Sequence, residues 1–164
     1  MKSLYISFFV FILVTLIGCQ QQPQQSFTDT DKEAIKKEVK EQFAKQIEAI
    51  NKKDVEAWAS FFSKDEFNVA IAGPEVYPTR SAWVDTIKTY FSMREFQKMA
   101  PLKVEVTPLA ANIALMTSQN TVVMKLKEGP TYSSKHVYTM IWKKEKEGWK
   151  ILHSHESWVD ELVK

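Results

Sequence analysis

Cysteine is almost missing from this 164-residue chain, which holds one, Cys19. A lone thiol excludes an internal disulfide, so stability must come from an apolar core. Glycine is also scarce, with four in the chain, and none falls in the spacing that cradles phosphate groups. Neither sign of charge dominates, since 22 basic side chains against 20 acidic ones leave a formal net charge of +2. That balance lacks the electrostatic footprint of a nucleic-acid binder, and no nucleic acid is expected as a partner. With three histidines in all, a site needing three or four ligands is short of donors, so no metal and no cofactor is expected. Long apolar runs are absent too. The longest, behind Lys2, has about fourteen mostly apolar residues where a membrane-spanning helix needs about 20.

What is present begins with that same run. A charged start, a short apolar stretch and the small residue Gly18 describe a secretory signal peptide over residues 1–18. Leu16-Ile17-Gly18-Cys19 resembles the lipobox of bacterial lipoproteins, which implies that Cys19 becomes the lipidated first residue of the mature protein. The implied location is the bacterial cell envelope, held to the membrane through that lipid. In a Gram-negative cell, Gln20 resembles the outer-membrane sorting case, facing the periplasm; in a Gram-positive cell the anchor sits on the plasma membrane. Residues 19–27, with Gln-Gln-Gln-Pro-Gln-Gln after the Cys, read as a tether. Residues 28–164 remain for one domain, and 45 % hydrophobic with 12 % aromatic residues is ample material for its core.

Within that domain, Thr30-x-x-Glu33 fits a capping box. Ile35, Val39, Phe43, Ile47 and Ile50 then recur at helical spacing. Asp54 can cap a short second helix bearing Val55, Trp58, Phe61 and Phe62. Brief strands are expected at 67–72 and 75–78, around the Gly73-Pro74 turn signal. A third helix is expected from Arg80 to Lys98, with Pro101 marking its end. From Leu102 the period changes to two, and strands follow at 102–107, 113–127, 132–144 and 149–159. Helices first and strands last make an α+β fold.

This order resembles the nuclear transport factor 2-like fold, and within it the SnoaL-like branch that includes the domain of unknown function 4440. The likeness is carried by Asn51-Lys52-Lys53-Asp54-Val55-Glu56-Ala57-Trp58 and by Gly148-Trp149-Lys150-Ile151-Leu152-His153-Ser154-His155-Glu156-Ser157. The second segment is similar to the family's closing strand and to that of the association domain of calcium/calmodulin-dependent protein kinase II. The resemblance implies a cone: three N-terminal helices on a strongly curved antiparallel sheet, in the order α-α-β-β-α-β-β-β-β. It also implies a choice of roles, because the family includes cyclases, isomerases, dehydratases and association modules.

Strict alternation puts Trp149, Ile151, His153, His155 and Ser157 on one face of the last strand. Whether His136 and Tyr138 share that face depends on the Glu147-Gly148 turn. A two- or four-residue loop brings His155 to the side of His136, Tyr138, Met140 and Trp142; three or five residues bring Val137, Thr139 and Ile141 inward instead. The two-residue loop is the expectation. Phe61, Phe62 and Phe91 read as plain core, whereas Trp58, Tyr77 and Trp83 carry polar tips suited to edging a cavity. The expected ligand contacts are therefore Trp58, Tyr77, Trp83, His136, Tyr138, His153 and His155. Catalysis would fall to His153, His155 or Asp85, but no convincing inward carboxylate is legible for acid–base work. The sequence thus favours binding of a small apolar or amphipathic molecule. A SnoaL-type lyase or isomerase and a homodimeric association module stand as the alternatives. A homodimer is expected under any of these readings.

Overall fold

The computed structural model describes residues 27–163. The signal segment, Cys19 and the tether up to Ser26 lie outside the described residues. Helix α1 spans Asp29–Lys52. Its cap is Thr28 rather than Thr30: Thr28 and Asp31 close the capping box two residues earlier than expected. All five members of the expected apolar stripe are buried. Asp54 caps helix α2 (Val55–Ala59) through a 2.9 Å bond from the Ala57 amide. Strands β1 (Val69–Ala72) and β2 (Glu75–Tyr77) form a hairpin, and helix α3 follows at Arg80–Met93.

The third helix is shorter than its sequence suggested, because Arg94 is already extended and opens strand β3 (Arg94–Ala110). Period two begins there: Phe96 and Lys98 are exposed while Gln97 and Met99 are buried. Pro101 stops no helix. It lies within β3, as does Pro108, each where the pairing with β4 shifts register. An edge strand tolerates proline because its outer side has no ladder to feed. Strands β4 (Ile113–Leu126), β5 (Thr131–Glu145) and β6 (Gly148–Leu162) complete the meander.

The element order is the expected one, but the cone is not. The six strands form a sheet in the order β2-β1-β6-β5-β4-β3 that is neither closed nor strongly curled. Nor is it wholly antiparallel, since β1 runs parallel to β6. Both departures go with hydrogen bonds between segments far apart in the chain. The segment after α2 is tied alongside β6 by Ser63 N–H to Ile151 C=O and Ile151 N–H to Phe61 C=O, so the chain enters β1 already parallel. At the far edge the Asn51 side chain bonds both the N–H (2.6 Å) and C=O (3.0 Å) of Met99. Gln97 donates from the same edge to Ile50 C=O. A helix end thus occupies hydrogen-bonding positions at the β3 edge, a common way of protecting an edge from further pairing.

Candidate functional site

Helices and sheet enclose a cavity of about 240 Å³. Its helical wall is aromatic because the apolar stripes of α2 and α3 meet there. The Trp58 ring lies 4.6 Å from Phe62, 5.7 Å from Trp83 and 6.5 Å from Phe91, centroid to centroid. Met99, Met124 and Met140 add unbranched, adaptable side chains from the sheet. Such a wall suits the apolar body of a small molecule.

The sheet wall facing the aromatic one is mixed, with polar groups on β5 and β6 beside these methionines. The β5–β6 turn has the expected two-residue loop, with Glu145 paired to Gly148. His136, Tyr138, Met140 and Trp142 accordingly face inward. The register then changes within β6. Ile141 pairs with His153 but its neighbour Trp142 pairs with Ile151, leaving Leu152 as an extra residue. This bulge reverses the alternation. Trp149 and Ile151 point inward before it; Ser154, Glu156 and Trp158 do so after it. His153 and His155 are therefore turned to the outer face, where they pair with Val69 and Ile71 of β1, and His155 is exposed.

In the place expected for an imidazole stands Glu156, directly across from Tyr138. The inward carboxylate that the sequence pattern conceals is the one behind the bulge. Burial pushes its carboxyl up to about 7, with the Tyr138 hydroxyl and the Arg94 guanidinium opposing. His136 stacks on Trp158 (5.5 Å, 18°) and places Nδ1 4.0 Å from Glu156 Oε2. Burial pushes this imidazole down to about 4; Asp160 opposes that shift and Arg94 adds to it. Tyr138 is driven up by burial and then by the Glu156 charge beside it. Arg94, at the start of β3, donates to Gln97 and lies over the Tyr90 ring at 5.7 Å. Burial lowers its pKa against the pull of Tyr138, Glu156 and Asp160. Near neutral pH the wall thus holds a neutral imidazole beside a carboxyl balanced between its two forms, able to take or release a proton.

The sequence-predicted residues divide accordingly. Trp58, Trp83, His136 and Tyr138 line the cavity. Tyr77 packs on Trp83 at 4.9 Å, outside the lining. Asp85 is exposed on α3, and neither it nor His153 nor His155 reaches the cavity. Glu156, Ser154 and Arg94 escaped the sequence reading. Strict alternation hid the first two, and an overlong third helix hid the last. Among the described residues, no group of three or more His, Cys, Asp or Glu is placed to hold a metal.

An α+β domain of helices laid on a mixed sheet around such a cavity defines the nuclear transport factor 2-like class. Solved structures share it. A type 2 hexachlorocyclohexane dehydrochlorinase (LinA) superposes with a TM-score of 0.72 at 15% identity, covering 84% of this chain and 94% of that one. The type 3 enzyme from Novosphingobium barchaimii LL02 gives 0.71 at 14%, covering 83% and 94%. A nuclear transport factor 2-like superfamily protein from Salmonella enterica serovar Typhimurium gives 0.70 at 17%, covering 76% and 91%. At these identities the likeness establishes the fold. Among curated proteins, none matches the sequence. The SnoaL-like domain model matches residues 39–161, and the chain belongs to that family.

Proposed function

We propose that this is a lipid-anchored extracytoplasmic domain that binds a small, mainly apolar molecule between its helices and its sheet. One observation carries the reading: the 240 Å³ cavity has an aromatic helical wall facing a sheet wall where polar groups sit among methionines. Such a division fits an amphipathic ligand. The dehydrochlorinase neighbours, which share the fold, support small-molecule binding as the use of the cavity. Hydrophobic probes at about 100 times their dissociation constant should stabilise the domain by about 2.7 kcal/mol, read as a rise in melting temperature. A diverse panel that produces no shift would count against the reading.

The anchor rests on the lipobox-like segment. Exposed Val123, Val137 and Val159 on the outer face of the sheet support a homodimer. One preparation tests both. Cys19→Ser should move the protein from the membrane fraction of its host to the soluble fraction, where it should sediment as a dimer. Unchanged membrane partition would remove the anchor, and a strict monomer at high micromolar concentration would remove the dimer.

The second reading is a lyase or isomerase, and Glu156 is the observation that favours it. A buried carboxyl titrating near 7 can serve as a general base at physiological pH. His153 and His155, facing away, are not candidates for that role. Glu156→Gln keeps the shape and removes the base, and so separates turnover from binding.

A further inference from the structure

Most of the sheet's edge is protected. At β3 the end of α1, with Pro101 and Pro108, stands in the way of a further strand, and at β2 the edge spans only Glu75–Tyr77. One stretch is left open. Strand β1 pairs with β6 from Val69↔His153 to Ala72↔Glu156. Gly73 then donates to Glu156 C=O, and its left-handed φ of 58° turns the chain back into β2. Beyond that turn β6 continues to Leu162 with β5 on one side and, among the described residues, no strand on the other.

The ladder fixes which backbone groups this stretch presents. Val163 N–H bonds Thr131 C=O on the β5 side. Direction alternates along an antiparallel strand, and the pairing is unshifted from Tyr132↔Leu162 to Ile141↔His153. Glu161 and Val159 therefore bond to β5, while Trp158, Asp160 and Leu162 aim N–H and C=O at the open side. Val159 and Leu162 are exposed, and neither proline nor lysine guards the run from Ser157 to Leu162.

Charge selects the occupant. A docked strand would lie about 4.8 Å from β6, whose charged side chains in this run are Asp160 and Glu161. The bases Lys135 and Arg94 stand on β5 and β3, further from the open side. A second copy pairing antiparallel about Asp160 would set acid against acid, which is destabilising. A strand carrying Lys or Arg at those positions would instead gain opposite-charge pairs.

We infer that Ser157–Leu162 is a docking edge for an extended, basic segment of a partner protein, which joins the sheet as a further strand. The test reads amide hydrogen exchange by NMR on the full Cys19→Ser chain. In the free protein the Asp160 and Leu162 amides should exchange at least about tenfold faster than those of Val159 and Glu161. Saturation with the peptide Arg-Val-Lys-Val-Arg-Val should remove that difference. The same peptide N-methylated throughout cannot donate to the edge, and Glu-Val-Glu-Val-Glu-Val carries the wrong sign; each should bind at least about tenfold more weakly. Asp160→Pro deletes an outward N–H without touching the β5 ladder, and Glu161→Lys reverses a charge on the outer face. Each should weaken the basic peptide several-fold. Failure of the basic peptide to bind, or equal binding of the N-methylated or the acidic one, would overturn the inference. Asp160 and Leu162 amides already slow in a dimeric free protein would overturn it in favour of a second copy.

Discussion

Glu156→Gln is expected to raise the stability of the domain at pH 8 by roughly 3 kcal/mol and to leave it nearly unchanged at pH 4. The folded carboxyl titrates near 7 against an ordinary 4.5, and each unit of difference is worth about 1.4 kcal/mol. Between those values the folded state holds a proton that the unfolded state has lost, so this group makes stability fall as pH rises from 4.5 to 7. His136 acts in the opposite sense. Its folded pKa of about 4 lies below the ordinary 6.5, so the folded state carries fewer protons and stability rises with pH across that window. The two effects offset over their overlap, and the native protein should show a nearly flat profile from pH 4.5 to 6.5. Glu156→Gln should uncover the rise due to His136. Urea midpoints at pH 4, 6.5 and 8 read this directly, and parallel profiles for the two proteins would contradict the assigned burial of the pair. The same variant reports on proton transfer. Incorporation of solvent deuterium next to the carbonyl of added ketones, abolished by Glu156→Gln, would establish Glu156 as a base. Equal incorporation in both proteins would exclude that role.

Trp58→Ala should cost about 3–5 kcal/mol, the usual range for removing a large buried aromatic. Trp58 is 3 % exposed and touches three aromatic neighbours from the loop after α2 and from α3. No neighbouring backbone can easily move in to fill the gap, because α2 is pinned by its Asp54 cap and by the Ser63–Ile151 bond. Val76→Ala, at 58 % exposure on β2, should stay within about 0.5 kcal/mol. Urea denaturation with an unchanged slope would attribute the difference to packing. A Trp58 loss no larger than that of Val76 would mean that the aromatic wall contributes little to holding helices to sheet. The cavity should fail with it, since Trp58 is part of the surface an apolar ligand would meet.

The bulge at Leu152 explains why the site was only half legible. His136 and Tyr138 were readable because β5 alternates without interruption and its turn has the commonest hairpin length. Glu156 was not, because one extra residue upstream inverts every later side chain on β6. Nothing in Ile151-Leu152-His153 announces the insertion, as all three suit a regular strand. The His-x-His pair, the most conspicuous feature of that segment, was drawn outward by the same event. Arg94 was misplaced for a related reason. Helical spacing through Tyr90 and Phe91 continues plausibly past Met93, and only the pairing of β3 with β4 converts Arg94 onward into a strand.

The sequence by itself determined the element types, their order, the buried stripe of α1 and the aromatic supply of the cavity. These follow from local periodicity, capping and turn chemistry, which act over a few residues. Tertiary structure alone decided the open, mixed sheet, the inward carboxyl and the outward histidines. Each depends on hydrogen bonds between distant segments: Asn51 to Met99, Phe61 and Ser63 to Ile151, and Ile141 to His153. Register and edge protection are properties of paired strands, and the pattern of β6 alone carries no record of the bulge that its pairing with β5 reveals.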